Sequence, residues 1–270
     1  MPLVAPRLMV LAARLGSGAM DVGLFLLLVL AGVGAGLSGS IAGLASLFSY
    51  PALLAAGLPP VTANVTNTVA LTFSSLGSVV GSRPELTGQG ATVKRFALLT
   101  ATGGALGATL VLLTPPGAFE RIVPFLVGGA STALLFQPWF RPVPEPGTGV
   151  PRTSAAVVAG VFAVAVYGGY FGAAAGVLML ALILVSLPVS LLQGNALKNV
   201  LLGLANGIAA IGFAFFGGVD WLAALPLAIG LLAGARVGPA VSRRIPTTIL
   251  RVGIALAGLG LAVTLAVGAY

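Results

Sequence analysis

The sequence predicts an all-α polytopic membrane protein. Two homologous repeats, inverted relative to one another, each supply a broken or re-entrant helix pair followed by three full transmembrane helices. Three observations predict this. The chain is 58% hydrophobic and only 7% charged, too few charges to cover a water-soluble domain. No charged residue lies between Asp21 and Arg83 or between Arg152 and Lys198, and such runs far exceed the roughly 20 apolar residues that cross a bilayer. An ordered series of glycines, prolines and asparagines also occurs twice. Gly36, Gly39 and Gly43 recur as Gly169, Gly172 and Gly176, while Gly103 and Gly107 return as Gly234 and Gly238. Leu58-Pro59, Asn64 and Pro115 are echoed by Leu187-Pro188, Asn195 and Pro246. The offset stays near 130 residues throughout, which single coincidences in a glycine-rich chain would not produce.

Residues 1–20 contain a short apolar core, Leu8 to Ala13, bracketed by Arg7 and Arg14. That is too short for a secretory signal, so the segment reads as interfacial. The first repeat covers 21–137, the second 154–270, and 138–153 form a proline-rich linker. Each repeat opens with an apolar stretch too long for one crossing: residues 154–187 would extend about 51 Å as a helix, against about 30 Å of hydrocarbon. The glycine cluster lies near the middle of each stretch, so a break is expected there. Full crossings are then expected over 60–82, 94–113 and 121–137, and over 190–216, 221–241 and 248–269. If each broken pair counts as two segments or as a re-entrant hairpin, the repeats are inverted. With the N-terminus outside, the loops carrying Arg83/Lys94/Arg95, Arg141/Arg152 and Arg243/Arg244 all become cytoplasmic, in keeping with the positive-inside rule.

Composition also excludes whole classes of chemistry. There is no His and no Cys, so neither a thiolate nor a transition-metal site is expected. The net charge of +8 is scattered over the breaks between apolar runs, where cations fix topology or meet anionic lipid. It is not a nucleic-acid footprint. Gly36-Leu37-Ser38-Gly39 shares the G-x-S-G pattern around the nucleophile of rhomboid-type intramembrane proteases. A serine nucleophile needs a base. Without His only a Ser–Lys dyad with Lys198 could serve, and nothing local supports it. An intramembrane serine hydrolase is the minor alternative. No Walker motif and no cofactor signature is present, so neither an ATPase activity nor a cofactor is expected.

The candidate binding residues come from the polar runs behind the two Leu-Pro pairs. "TANVTNTVALTFSS" offers Asn64, Thr66, Asn67, Ser74 and Ser75, and "QGNALKNVLLGLAN" offers Asn195, Lys198, Asn199 and Asn206. Helical spacing sets Asn195, Lys198 and Asn199 on one face. An ionisable residue within a span is a functional candidate by default; snorkelling to an interface is the alternative for Lys198 and the favoured reading for Arg236, near the end of its helix. The embedded charge is all positive, which suits an anion, and no embedded carboxylate offers itself to Na⁺ or a proton relay. Gly39 and Gly172 are added because an unwound backbone would expose N–H groups to an anion. Close helix packing is their other reading.

The stretch "GAGLSGSIAGLASLFSYPALLAAGLPPVTANVTNTVALTFSSLGS", with "QGNALKNVL" and "GGVDW" in the second half, resembles the sulfite exporter TauE/SafE family of bacterial anion permeases. That resemblance implies a non-enzymatic secondary transporter in a bacterial plasma membrane. Its cargo would be a small sulfur-containing anion such as sulfite or an organosulfonate, with import of thiosulfate or a carboxylate as the alternative. The implied partners are that small anion and the surrounding lipid, and not nucleic acid.

Overall fold

The computed structural model describes residues 21–136 and 155–242, together with a few residues between 256 and 267. The predicted N-terminal segment, the 138–153 linker with Arg141 and Arg152, Arg243/Arg244 and most of the crossing expected at 248–269 lie outside the described residues. Among the described residues the chain is helical without strands: α1 (Val22–Ala42), α2 (Ala45–Ala55), α3 (Pro60–Gly81), α4 (Arg83–Leu86), α5 (Gly90–Leu113), α6 (Pro116–Phe136), α7 (Ala155–Tyr170), α8 (Ala175–Ser186), α9 (Leu191–Phe216) and α10 (Trp221–Ser242). Four of these, α1, α5, α9 and α10, are long and apolar enough to cross a membrane. With 22 residues α3 has the length too, but its polar run lowers its hydropathy. Two helices start earlier than expected, α5 at Gly90 and α6 at Pro116. The second begins on a proline, which costs nothing where no intrahelical N–H partner exists.

Helix ends follow local chemistry. Asp21 caps α1, its Oδ1 accepting from Gly23 N at 3.4 Å. Ser190 and Gln193 form a reciprocal capping box at the start of α9, with bonds of 3.2 and 3.0 Å that satisfy two otherwise open donors. Both glycine clusters contain a break, at their C-terminal side. The first helix continues through Gly36 and Gly39 and stops at Gly43, which takes φ +78°. The other continues through Gly169 and stops before Gly172, φ +73°. Gly36 and Gly169 do a different job. A side chain on Gly36 would strike Leu231 O of α10, and one on Gly169 would strike Gly104 O of α5, so there the packing reading holds.

Those close approaches also fix directions. Along α1 and α10, Gly230 meets Val29–Val33, Gly234 meets Val33–Leu37, and Gly238 meets Leu37–Ser40. The two helices are therefore parallel. Similarly α5 and α7 are parallel, Gly103 facing Phe162–Val166 and Gly107 facing Val166–Tyr170. By contrast α3 and α9 are antiparallel: Gly203 packs on Ser75, Gly207 on Thr72, and Ala209 and Phe213 share a core with Val65 and Val69. Both helices are enclosed on every side along one stretch, Ala63–Leu71 in α3 and Gly194–Asn199 in α9. Elsewhere large apolar side chains such as Leu30, Leu98, Phe215 and Phe216 point outward, a surface suited to lipid rather than water.

Candidate functional site

A cavity of about 60 Å³ opens where the two helix breaks meet α3 and α9. From α3 come Leu71, Ser74, Ser75 and Ser78, and from α9 Lys198, Asn199, Leu202 and Asn206. The breaks add Gly39, Gly43, Gly172 and Gly176, and the first turn of α2 adds Ala45 and Ser46. No carboxylate lines it.

Lys198 is fully buried, and its Nζ donates to Gly39 O at 3.1 Å. That carbonyl belongs to the last turn of α1, where helix carbonyls carry partial negative charge. One contact uses one of the three ammonium donors. Lys198 lines the cavity, together with the N-terminal turn of α2, whose partial charge is positive. Hydroxyls complete the polar wall. Ser46 Oγ accepts from Asn67 Nδ2 at 3.3 Å, which leaves its own proton to be donated elsewhere. Ser75 instead bonds back to Leu71 O at 3.4 Å, a common habit of serine within a helix.

The structure brings seven of the predicted binding residues to this cavity: Lys198, Asn199, Asn206, Ser74, Ser75, Gly39 and Gly172. The other four sit close by in different roles. Asn195 Nδ2 donates to Ser40 O at 2.6 Å, joined there by Asn199 Nδ2 at 3.3 Å. Asn64 Nδ2 donates to Tyr170 O at 2.9 Å. Asn67 is held between Ser46 and Ser49 of α2. Thr66 Oγ1 accepts from Asp220 N at 3.0 Å, fixing the turn into α10. Asn64 and Asn195 thus satisfy open carbonyls at the end of the opposite half's broken helix. Buried polar groups in lipid need such internal partners.

Sequence reasoning missed Ser46 and Ser78 as cavity-lining residues. Ser78 carried a signal, since it follows Ser74 by four residues and so shares its helix face. Ser46 carried none, because its place depends on how α2 folds back after Gly43. Ser38, the serine of the G-x-S-G pattern, is buried within α1 and donates to Ala35 O of its own helix at 3.0 Å. Arg236 lies on an exposed face of α10.

Known proteins of similar sequence share this membrane character. The chain is 27% identical over 205 residues to "Probable membrane transporter protein ORF9" of Sinorhizobium sp, covering 76% of this chain and 77% of that protein. It is 27% identical over 204 residues to "Probable membrane transporter protein YfcA" of Escherichia coli K12, covering 76% and 75% respectively. No solved structure matches. The family model described as Sulfite exporter TauE/SafE matches residues 28–265. A multi-pass helical chain matched over nearly its whole length belongs to the sulfite exporter TauE/SafE family of membrane transporters.

Proposed function

We propose that this protein is a secondary transporter that exports a small sulfur-containing oxyanion, such as sulfite or a short organosulfonate, across a bacterial inner membrane. The single observation carrying this reading is the Lys198 ammonium in a cavity lined by hydroxyls and amides and free of carboxylates. An oxyanion accepts hydrogen bonds and offers none. A wall of donors around one cation therefore favours it over a cation or an apolar solute. The size of the cavity, about 60 Å³, suits an ion of a few heavy atoms, given that about 10–15 Å³ of such space holds one water. Outward direction follows the family description.

The proposed mechanism is alternating access between two inverted repeats, 21–137 and 154–270. Three features support it. Asn64 matches Asn195 and Asn67 matches Lys198 at the same offset. The matching helices α3 and α9 run antiparallel, as inversion requires. Gly43 and Gly176, matching positions in the two clusters, touch one another, as equivalent residues do beside a two-fold axis. The anion site then lies where both repeats meet, and rocking one against the other would expose it to either side in turn.

Ligand-dependent thermal stabilisation tests the reading. With sulfite, sulfoacetate, thiosulfate, malonate and sulfate compared on the purified protein, sulfite or sulfoacetate should raise the melting temperature most. Stabilisation by malonate alone would replace the sulfur oxyanion with a carboxylate. The Ser38→Ala variant should respond and transport like the wild type, because that hydroxyl serves only its own helix.

A further inference from the structure

Asn64 and Asn195 occupy matching positions on α3 and α9, and they are 0% and 6% exposed. Each spends its Nδ2 on a carbonyl from the opposite half, Tyr170 O and Ser40 O respectively. Those carbonyls fix the amide orientation, because the opposite flip would set oxygen against oxygen. The amide oxygen of each, Oδ1, is buried without a hydrogen-bond partner. A protein interior rarely tolerates such an acceptor unless something binds it.

The two halves differ in what lies at the two helix ends. At the end of α1, beside Asn195, the Lys198 ammonium donates to Gly39 O. At the end of α7, beside Asn64, the position that matches Lys198 is Asn67, which is uncharged and held by Ser46 and Ser49. That helix end is nonetheless electronegative, as every helix C-terminus is. Phe171 N makes the regular helical bond to Tyr167 O at 2.9 Å, and Gly172 N joins it there at 3.0 Å instead of returning to Gly168 O. A second orphan lies near the same turn. Tyr50, 1% exposed with an unpartnered hydroxyl, packs edge-on against Phe171 with ring centroids 5.2 Å apart.

We propose that the α7–α8 break binds a sodium ion, with Asn64 Oδ1 and main-chain carbonyls of the last turn of α7 as its ligands. Neutral oxygens at a helix C-terminus suit a hard monovalent cation. Ca²⁺ or Mg²⁺ would call for carboxylates, and transition metals for nitrogen or sulfur; among the described residues no cluster of such side chains exists. In the first half a tethered ammonium supplies the positive charge. In the matching place of the second half a diffusible one supplies it. A role for this ion in driving the anion rests on the transport reading above, whereas its binding does not.

The test is a titration of the purified full-length protein with sodium chloride against choline chloride at constant ionic strength, without sulfur anions. Wild type should show a saturable, sodium-specific rise in melting temperature that potassium does not reproduce. Asn64→Ala should weaken the apparent sodium affinity about tenfold or more, while Asn195→Ala and Lys198→Met should titrate like wild type. A wild type indifferent to sodium, an Asn64→Ala titration unchanged from wild type, or a response lost only in Asn195→Ala would each overturn the assignment. Should Asn64→Ala fail to fold, hydrogen exchange on wild type decides. Sodium must then slow exchange at the amides of 171–175, and equal exchange with choline rejects the site. Failure of the anion reading would appear separately, as sulfite binding unaffected in Lys198→Met.

Discussion

Lys198→Met is expected to yield a folded protein that no longer holds its anion. Methionine keeps most of the volume of the buried stem and removes only the charge. Gly39 O, which loses the ammonium, keeps the main-chain donor Gly43 N at 2.8 Å, so the end of α1 stays satisfied. What disappears is the one cation on a cavity whose remaining polar groups are neutral. Stripping one partner from a buried charge pair costs about 3–5 kcal/mol, roughly a hundredfold to a few thousandfold in Kd. Lys198→Arg should bind anion with an intermediate loss, because the planar guanidinium is bulkier and places its donors differently. Titration calorimetry with sulfite on all three proteins, beside their melting curves, makes the comparison. Wild-type affinity in a folded Lys198→Met protein would reduce Lys198 to a cap on the end of α1.

Lys198 and Asn199 could be placed at the site from sequence because their chemistry is out of place there. A cation some ten residues into an apolar segment has few structural uses, and helical spacing puts the amide beside it. Asn64, Asn195 and Thr66 looked the same by that logic, yet none of them lines the cavity, and each is bonded, as Lys198 and Asn199 also are, to main chain more than 100 residues away. No local pattern announces a partner at that separation. The glycine clusters show the same divide. Their spacing correctly predicted a break within each long stretch. It could not assign Gly36 to a helix crossing and Gly43 to the break, since that division depends on where α10 and α8 pass. The antiparallel run of α3 and α9 has no local signature either, since it rests on which residue pairs touch.

Gly43→Ala should be among the most destabilising single-methyl changes available in this chain. Two independent costs meet at the position. Its φ of +78° lies in the left-handed region, where an L side chain costs about 1–2 kcal/mol. An added Cβ would also lie 2.6 Å from the Cα and carbonyl carbon of Gly176 and 2.9 Å from Val177 N. These are main-chain atoms that cannot rotate away, and such overpacking costs about 1–3 kcal/mol. Gly176→Ala meets the same crowding from the other side, striking Gly43 Cα, but its own backbone is not left-handed. It should therefore lose less. Gly34→Ala supplies the control, because a Cβ there meets nothing within 4 Å and alanine is the better helix former by about 0.5–1 kcal/mol. Melting curves of the three purified variants should rank Gly34→Ala highest, Gly176→Ala next and Gly43→Ala lowest. Equal losses at Gly43 and Gly176 would assign the whole effect to crowding between the breaks. A Gly43→Ala protein as stable as Gly34→Ala would mean that the two breaks do not touch. One of the observations that supports the proposed two-repeat arrangement would then be lost with it.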